Sequence, residues 1–120
     1  QEKLNKWKEM DVAYIYNGRT KQNMPMYFQF YENCIANADR LNIQNAVVKM
    51  NIPHLIVHGS EDPTVLLAEA ERMKIWNSNT HLHVIEGANH VLGGFHPYDL
   101  ANFSKDLQEA IDVTVSFLKG

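Results

Sequence analysis

Only one cysteine, four prolines, six glycines and two tryptophans occur among the 120 residues. A lone Cys34 cannot form an internal disulfide, which excludes a disulfide-stapled scaffold and gives no reason to invoke an oxidising compartment. Long apolar runs are missing as well. Stretches such as Leu55-Ile56-Val57 fall far short of the roughly 18 residues that suggest a membrane span. No charge of one sign dominates, since 11 Lys and Arg face 14 Asp and Glu for a net charge of −3, and no block of like charges interrupts the chain. Nucleic acid and anionic membrane are therefore not the expected partners. Repeats, low-complexity tracts and linker-like segments are absent too. The chain opens on Gln1 and runs directly into the charged amphipathic stretch Glu2 to Met10 with nothing of signal-peptide type, so a cytoplasmic location is the expectation.

What remains is the composition of an ordinary globular domain, 45% hydrophobic and 21% charged, of a length suited to one core. Leu4, Trp7 and Met10 recur at helical spacing, and Val12 to Tyr16 is β-branched and aromatic, which predicts a helix and then a strand. Asn17-Gly18 favours a type I′ turn, so the strand should return as a hairpin through Arg19 to Asn23. Pro25 suits the first turn of a helix, with Phe28, Tyr31, Ile35 and Ala38 marking one face. A shorter helical piece over Ile43 to Met50 stops before Pro53.

From Pro53 the pattern changes. His54 to His58 reads as a strand buried on both faces, ending at Gly59. Thr64 can cap a helix that buries Leu66, Leu67, Ala70, Met73 and Trp76, and Asn77-Ser78-Asn79 ends it. Thr80 to Ile85 is a second short strand, followed by the glycine-bearing loop around His90. Ser104 can cap a last helix with Leu107, Ala110, Ile111, Thr114, Phe117 and Leu118 on one face. Strand, helix, strand, helix calls for a parallel α/β sheet with a crossover connection. Two parallel strands cannot cover their own faces and edges, so further strands should lie beside them, or the chain should associate with itself.

Ligands of open α/β sheets sit beyond the carboxyl ends of the strands, where the two loops carry Asp62 and His90. A carboxylate on one loop can hold one ring nitrogen of an imidazole on the next and leave the other nitrogen free as a base. Small neighbours around His90 let its ring project outward.

The segments Ile52-Pro53-His54-Leu55-Ile56-Val57-His58-Gly59-Ser60-Glu61-Asp62 and Val84-Ile85-Glu86-Gly87-Ala88-Asn89-His90 resemble the last two strand-loop units of the α/β-hydrolase fold. That resemblance implies Asp62 as triad acid and His90 as general base, in the order acid then histidine that the family follows. It divides the chain into a cap-like excursion over 1–51 and the carboxyl-terminal part of a doubly wound hydrolase sheet over 52–120. Asn17 to Met26 resembles the excursion that some esterase- and peptidase-like members place before the acid strand, which implies a share in the substrate pocket. Arg19, Tyr27 and Tyr31 are its candidate substrate contacts. The family's Gly-x-Ser-x-Gly elbow has no counterpart, because Ser60, Ser78, Ser104 and Ser116 do not lie between glycines at that spacing and Cys34 falls in a helical stretch. The implied whole is a serine hydrolase of a small-molecule ester or a peptide, whose nucleophile comes from elsewhere. These residues alone would turn nothing over. The natural partner would be the missing amino-terminal half of the fold.

Blander roles stand beside these. Asp62 before Pro63 could serve only to bond its own backbone, and His90 could be an ordinary loop histidine; their placement on matching loops favours the paired reading. Glu61 competes for the acid role and His96 for the base. His54 and His58 share one strand face and His81 and His83 another, but this matches no zinc spacing, so neither metal nor other cofactor is expected. Tyr14, Tyr16, Tyr27, Phe28 and Tyr31 fit a core better than a pocket. The alternative function is a non-catalytic binding or scaffold domain on the same sheet, with Asn17 to Tyr31 as its contact surface.

Overall fold

The computed structural model describes residues 1–120, which divide into two compact units, Gln1–Ile43 and Gln44–Gly120. In the first unit, helix α1 (Glu2–Met10) ends where Asp11 takes a left-handed conformation at φ 58°. Strands β1 (Val12–Asn17) and β2 (Gln22–Tyr27) then pair antiparallel from Val12 opposite Tyr27 to Asn17 opposite Gln22. Helix α2 (Gln29–Ala36) follows. The small core of this unit is aromatic. Phe28, its buried apolar residue at 7% exposure, meets Trp7 edge to face with ring centroids 5.5 Å apart, and Tyr31 lies 5.4 Å from Phe28. The Trp7 indole N–H donates to the Met26 carbonyl at 2.9 Å, fastening α1 to β2.

Three expectations fail in this unit. The hairpin does not turn on Asn17-Gly18: Lys21 N donates to Asn17 O at 2.8 Å, Asn17 Oδ1 accepts from the amides of Arg19 and Thr20, and the left-handed residue is Lys21 at φ 59°. The Asn17 side chain organises a longer loop in place of the tight turn. Pro25 starts no helix but sits in β2 opposite Tyr14. The bond from Phe28 N to Asp11 O sets the alternation of the ladder, and by that alternation Tyr14 and Pro25 form a pair without hydrogen bonds, where a missing N–H costs nothing. Tyr14, Tyr16 and Tyr27 are exposed by 60% or more, so only Phe28 and Tyr31 of that aromatic set join the core.

The second unit is a parallel pair with helices. Strand β3 (His54–Gly59) runs beside β4 (Thr80–Ile85) in register from His54 opposite Thr80 to Gly59 opposite Ile85. Helix α4 (Leu67–Trp76) makes the crossover, and α5 (Lys105–Lys119) packs on both strands. The protein is thus of mixed α/β class, with five helices and a separate two-stranded sheet in each unit. Ile85, Ala88 and Ala110 form the buried centre, flanked by Val57 and Leu92. Helix α3 (Ile43–Lys49) is held here rather than in the excursion, because the buried Asn77 side chain donates to the Val47 and Met50 carbonyls at 2.9 and 2.8 Å. The units accordingly part earlier than the 51/52 boundary.

Burial is thinner than the pattern predicts. The residues of β3 before Gly59 are half-buried rather than enclosed on both faces, as a strand with one neighbour must be. On α4 only Ala70 is buried, while Leu66, 62% exposed, precedes the helix as its N-cap. Thr64 does not cap it, because the helix begins only at Leu67 and its N-cap, Leu66, makes no side-chain cap bond. Ser104 does cap α5, its Oγ accepting from Leu107 N at 3.1 Å, though Leu118 at the far end is 77% exposed. No helix is long and apolar enough to cross a membrane.

Candidate functional site

The two loops beyond the carboxyl ends of β3 and β4 are stitched by backbone. Ser60 N donates to Ile85 O at 3.0 Å, extending the parallel ladder by a step, and Glu61 N donates to Ala88 O at 3.0 Å. The Ser60 hydroxyl accepts from Gly87 N at 2.8 Å. Gly59 permits this approach, because a Cβ there would overlap the carbonyl oxygen of the fully buried Ala88.

On this frame Asp62 and His90 meet. Asp62 Oδ2 lies 2.8 Å from His90 Nδ1, while Oδ1 accepts from the amides of Thr64 and Val65 at 2.8 and 2.9 Å. Both carboxylate oxygens are engaged, and the residue is only 8% exposed. Burial pushes its carboxyl upward, but the hydrogen bonds from Val65, His90 and Thr64 and the charge of the imidazole outweigh burial and bring it from 3.8 to about 2. An ionised carboxylate can only accept, so Nδ1 of His90 carries the proton and, in the neutral ring, Nε2 bears a lone pair. Nε2 makes no hydrogen bond, and the side chain is half-exposed.

His90 is presented by a structured turn. Asn89 Oδ1 accepts from Val91 N and Gly93 N, both at 3.1 Å, and the chain reverses through left-handed Leu92 (φ 51°) and Gly93 (φ 73°). The Ser104 hydroxyl donates to Leu92 O, tying the turn to the start of α5. Beside the pair lies a cavity of about 230 Å³, lined in part by Val57, His58, Val65 and Leu92.

Asp62 and His90 are the candidates the structure brings together. Glu61 is exposed and enters through its backbone amide alone, and exposed His96 takes no part. Arg19, Tyr27 and Tyr31 belong to the first unit and do not form one patch there: Arg19 sits exposed in the hairpin loop, Tyr27 lines a groove with Met26 and Phe30, and Tyr31 packs against Trp7 and Phe28. The four strand histidines do not converge. His54 bonds Thr80 Oγ1, His83 bonds Glu109, and His81 stacks edge-on to Phe117, so no group of three or more His, Cys, Asp or Glu is placed to hold a metal ion.

His58 is the residue that sequence reasoning missed in this site. Its Nδ1 lies 2.9 Å from Gly59 O and its Nε2 3.7 Å from Asp62 Oδ2. The signal was the four-residue spacing from His58 to Asp62 across the strand end. No serine or threonine hydroxyl and no cysteine thiol bonds His90; Ser60 and Ser104 are committed to backbone partners. Neither a scan against protein-family models nor a search of curated proteins found a match for the chain.

Proposed function

We propose that this chain supplies the acid and the base of a serine hydrolase of α/β-hydrolase type, with Asp62 orienting His90. The observation that carries the reading is the 2.8 Å bond from His90 Nδ1 to an Asp62 whose other oxygen is anchored by two amides, with Nε2 left open. Such a pair prepares an imidazole to take a proton from a hydroxyl as it attacks an ester or amide carbonyl, and to return that proton to the leaving group. The carboxylate holds the tautomer and stabilises the imidazolium that forms. Because no hydroxyl or thiol of these 120 residues meets Nε2, the nucleophile comes from outside them.

A fluorophosphonate probe tests this on the cellular polypeptide that contains residues 1–120. A serine outside this stretch should be labelled, and His90→Gln should abolish the labelling. An unlabelled polypeptide, or labelling indifferent to His90→Gln, sinks the reading. Weight then passes to a non-catalytic binding or scaffold domain.

A further inference from the structure

Asp62 Oδ2 faces not one imidazole but two. His90 Nδ1 lies 2.8 Å from it, and His58 Nε2 approaches the same oxygen to 3.7 Å from the end of β3. The His58 tautomer follows from its other nitrogen. Nδ1 is 2.9 Å from Gly59 O, and a carbonyl can only accept, so Nδ1 carries the proton. In the neutral ring Nε2 then presents a lone pair to a carboxylate, which is repulsive and accounts for a separation longer than a hydrogen bond. A second proton on Nε2 reverses the sign of that contact and turns it into a charge-assisted donor.

We propose that His58 is a positioning residue whose protonation draws Asp62 Oδ2 away from His90, so that the two imidazoles compete for one carboxylate. Neutral His58 leaves Oδ2 to His90; protonated His58 competes for it. The surroundings leave the exchange to these three groups. The side chain of His58 is only 13% exposed, which keeps water from screening the contact. On β4 its register partner is Val84, and His83 is engaged by Glu109 of α5. Of the charges on α4, Arg72 pairs with Glu69 and Lys74 donates to Thr80 O, and the ion pair that includes His58 is the one with Asp62. The inference rests on the Asp62–His90 contact and not on acyl transfer.

Imidazole-selective proton and nitrogen NMR of the full chain over a pH series reads it without turnover. Wild type should show His58 protonated at Nδ1 near neutral pH and a low-field His90 Nδ1 proton. That proton should move upfield in a step that coincides with the change in the His58 nitrogen signals. In His58→Gln the step should vanish and His90 should follow a single-site curve. A His58 ring protonated at Nε2 in the neutral form overturns the proposal, as does a His90 signal that ignores the His58 transition. Both of these are read from the wild type and do not depend on the variant folding. A failed fluorophosphonate experiment would leave this result standing, and the reverse holds too.

Discussion

Asp62 meets three hydrogen bonds with two oxygens, and this gives the protein a pH dependence of definite sign. Its folded carboxyl, at about 2, lies below the ordinary 3.8, so between those values the unfolded chain binds the extra proton. The stabilisation is complete above pH 3.8 and is lost as pH falls toward 2. Circular dichroism through acid unfolding should show a component in that window that Asp62→Asn lacks; identical slopes would contradict it. The same substitution keeps the size of the side chain but favours the wrong imidazole tautomer. On the proposed hydrolase reading, it should cut kcat on an activated ester by roughly 10⁴-fold in the polypeptide that contains these residues. Gly59 is the other sensitive residue. Gly59→Ala forces a Cβ against Ala88 O, and urea unfolding should register a loss of roughly 1–3 kcal/mol, whereas unchanged stability would mean the loops have room to part.

At the scale of elements, single polar side chains decide where helices start and stop. The Ser104 hydroxyl caps α5 and also donates to Leu92 O in the turn behind His90. Ser104→Ala should cost about 1 kcal/mol in urea unfolding, as a lost N-cap does, and should broaden the His90 signals. Asn77 both ends α4 and holds the Val47 carbonyl of α3 and the Met50 carbonyl just beyond it. Capping at Ser104 was legible, because a serine three residues before an amphipathic run has one obvious amide to accept from. The start of α4 was not. Thr64 is the obvious cap in sequence, yet Asp62 takes the amides of Thr64 and Val65 in the loop and the helix starts later, behind an uncapped Leu66. Pro25 was misread for a related reason. Its ring fits the first turn of a helix and equally an unbonded strand position, and the pairing with Tyr14 selects the strand.

For the whole molecule the outstanding feature is apolar surface without cover. Tyr14, Ile15 and Tyr16 on β1 are each at least 50% exposed, and in the second unit Leu66, Ile75 and Leu118 exceed 60%. Each unit also leaves both outer edges of a two-stranded sheet unpaired. Light scattering on the isolated 120-residue chain is therefore expected to find it associated, with itself or with added sequence from the same protein. A monodisperse monomer at micromolar concentration would contradict that.

Period and punctuation in the sequence were enough for α1, β1, the parallel pair with its crossover and the loops that carry Asp62 and His90, but not for the extent of β2, where Pro25 reads as a helix start. These depend on local alternation and on where glycine and proline interrupt it. Asp62 and His90 were paired already by their matching loops; only the tertiary structure decided the geometry of that contact and brought His58 to it. The Asp62–His90 bond needs the β3–β4 register and the bare backbone at Gly59, and His58 enters because the strand end turns its ring toward Asp62. Contacts of this kind join residues 28 apart in the chain at 2.8 Å, a distance that no local pattern encodes.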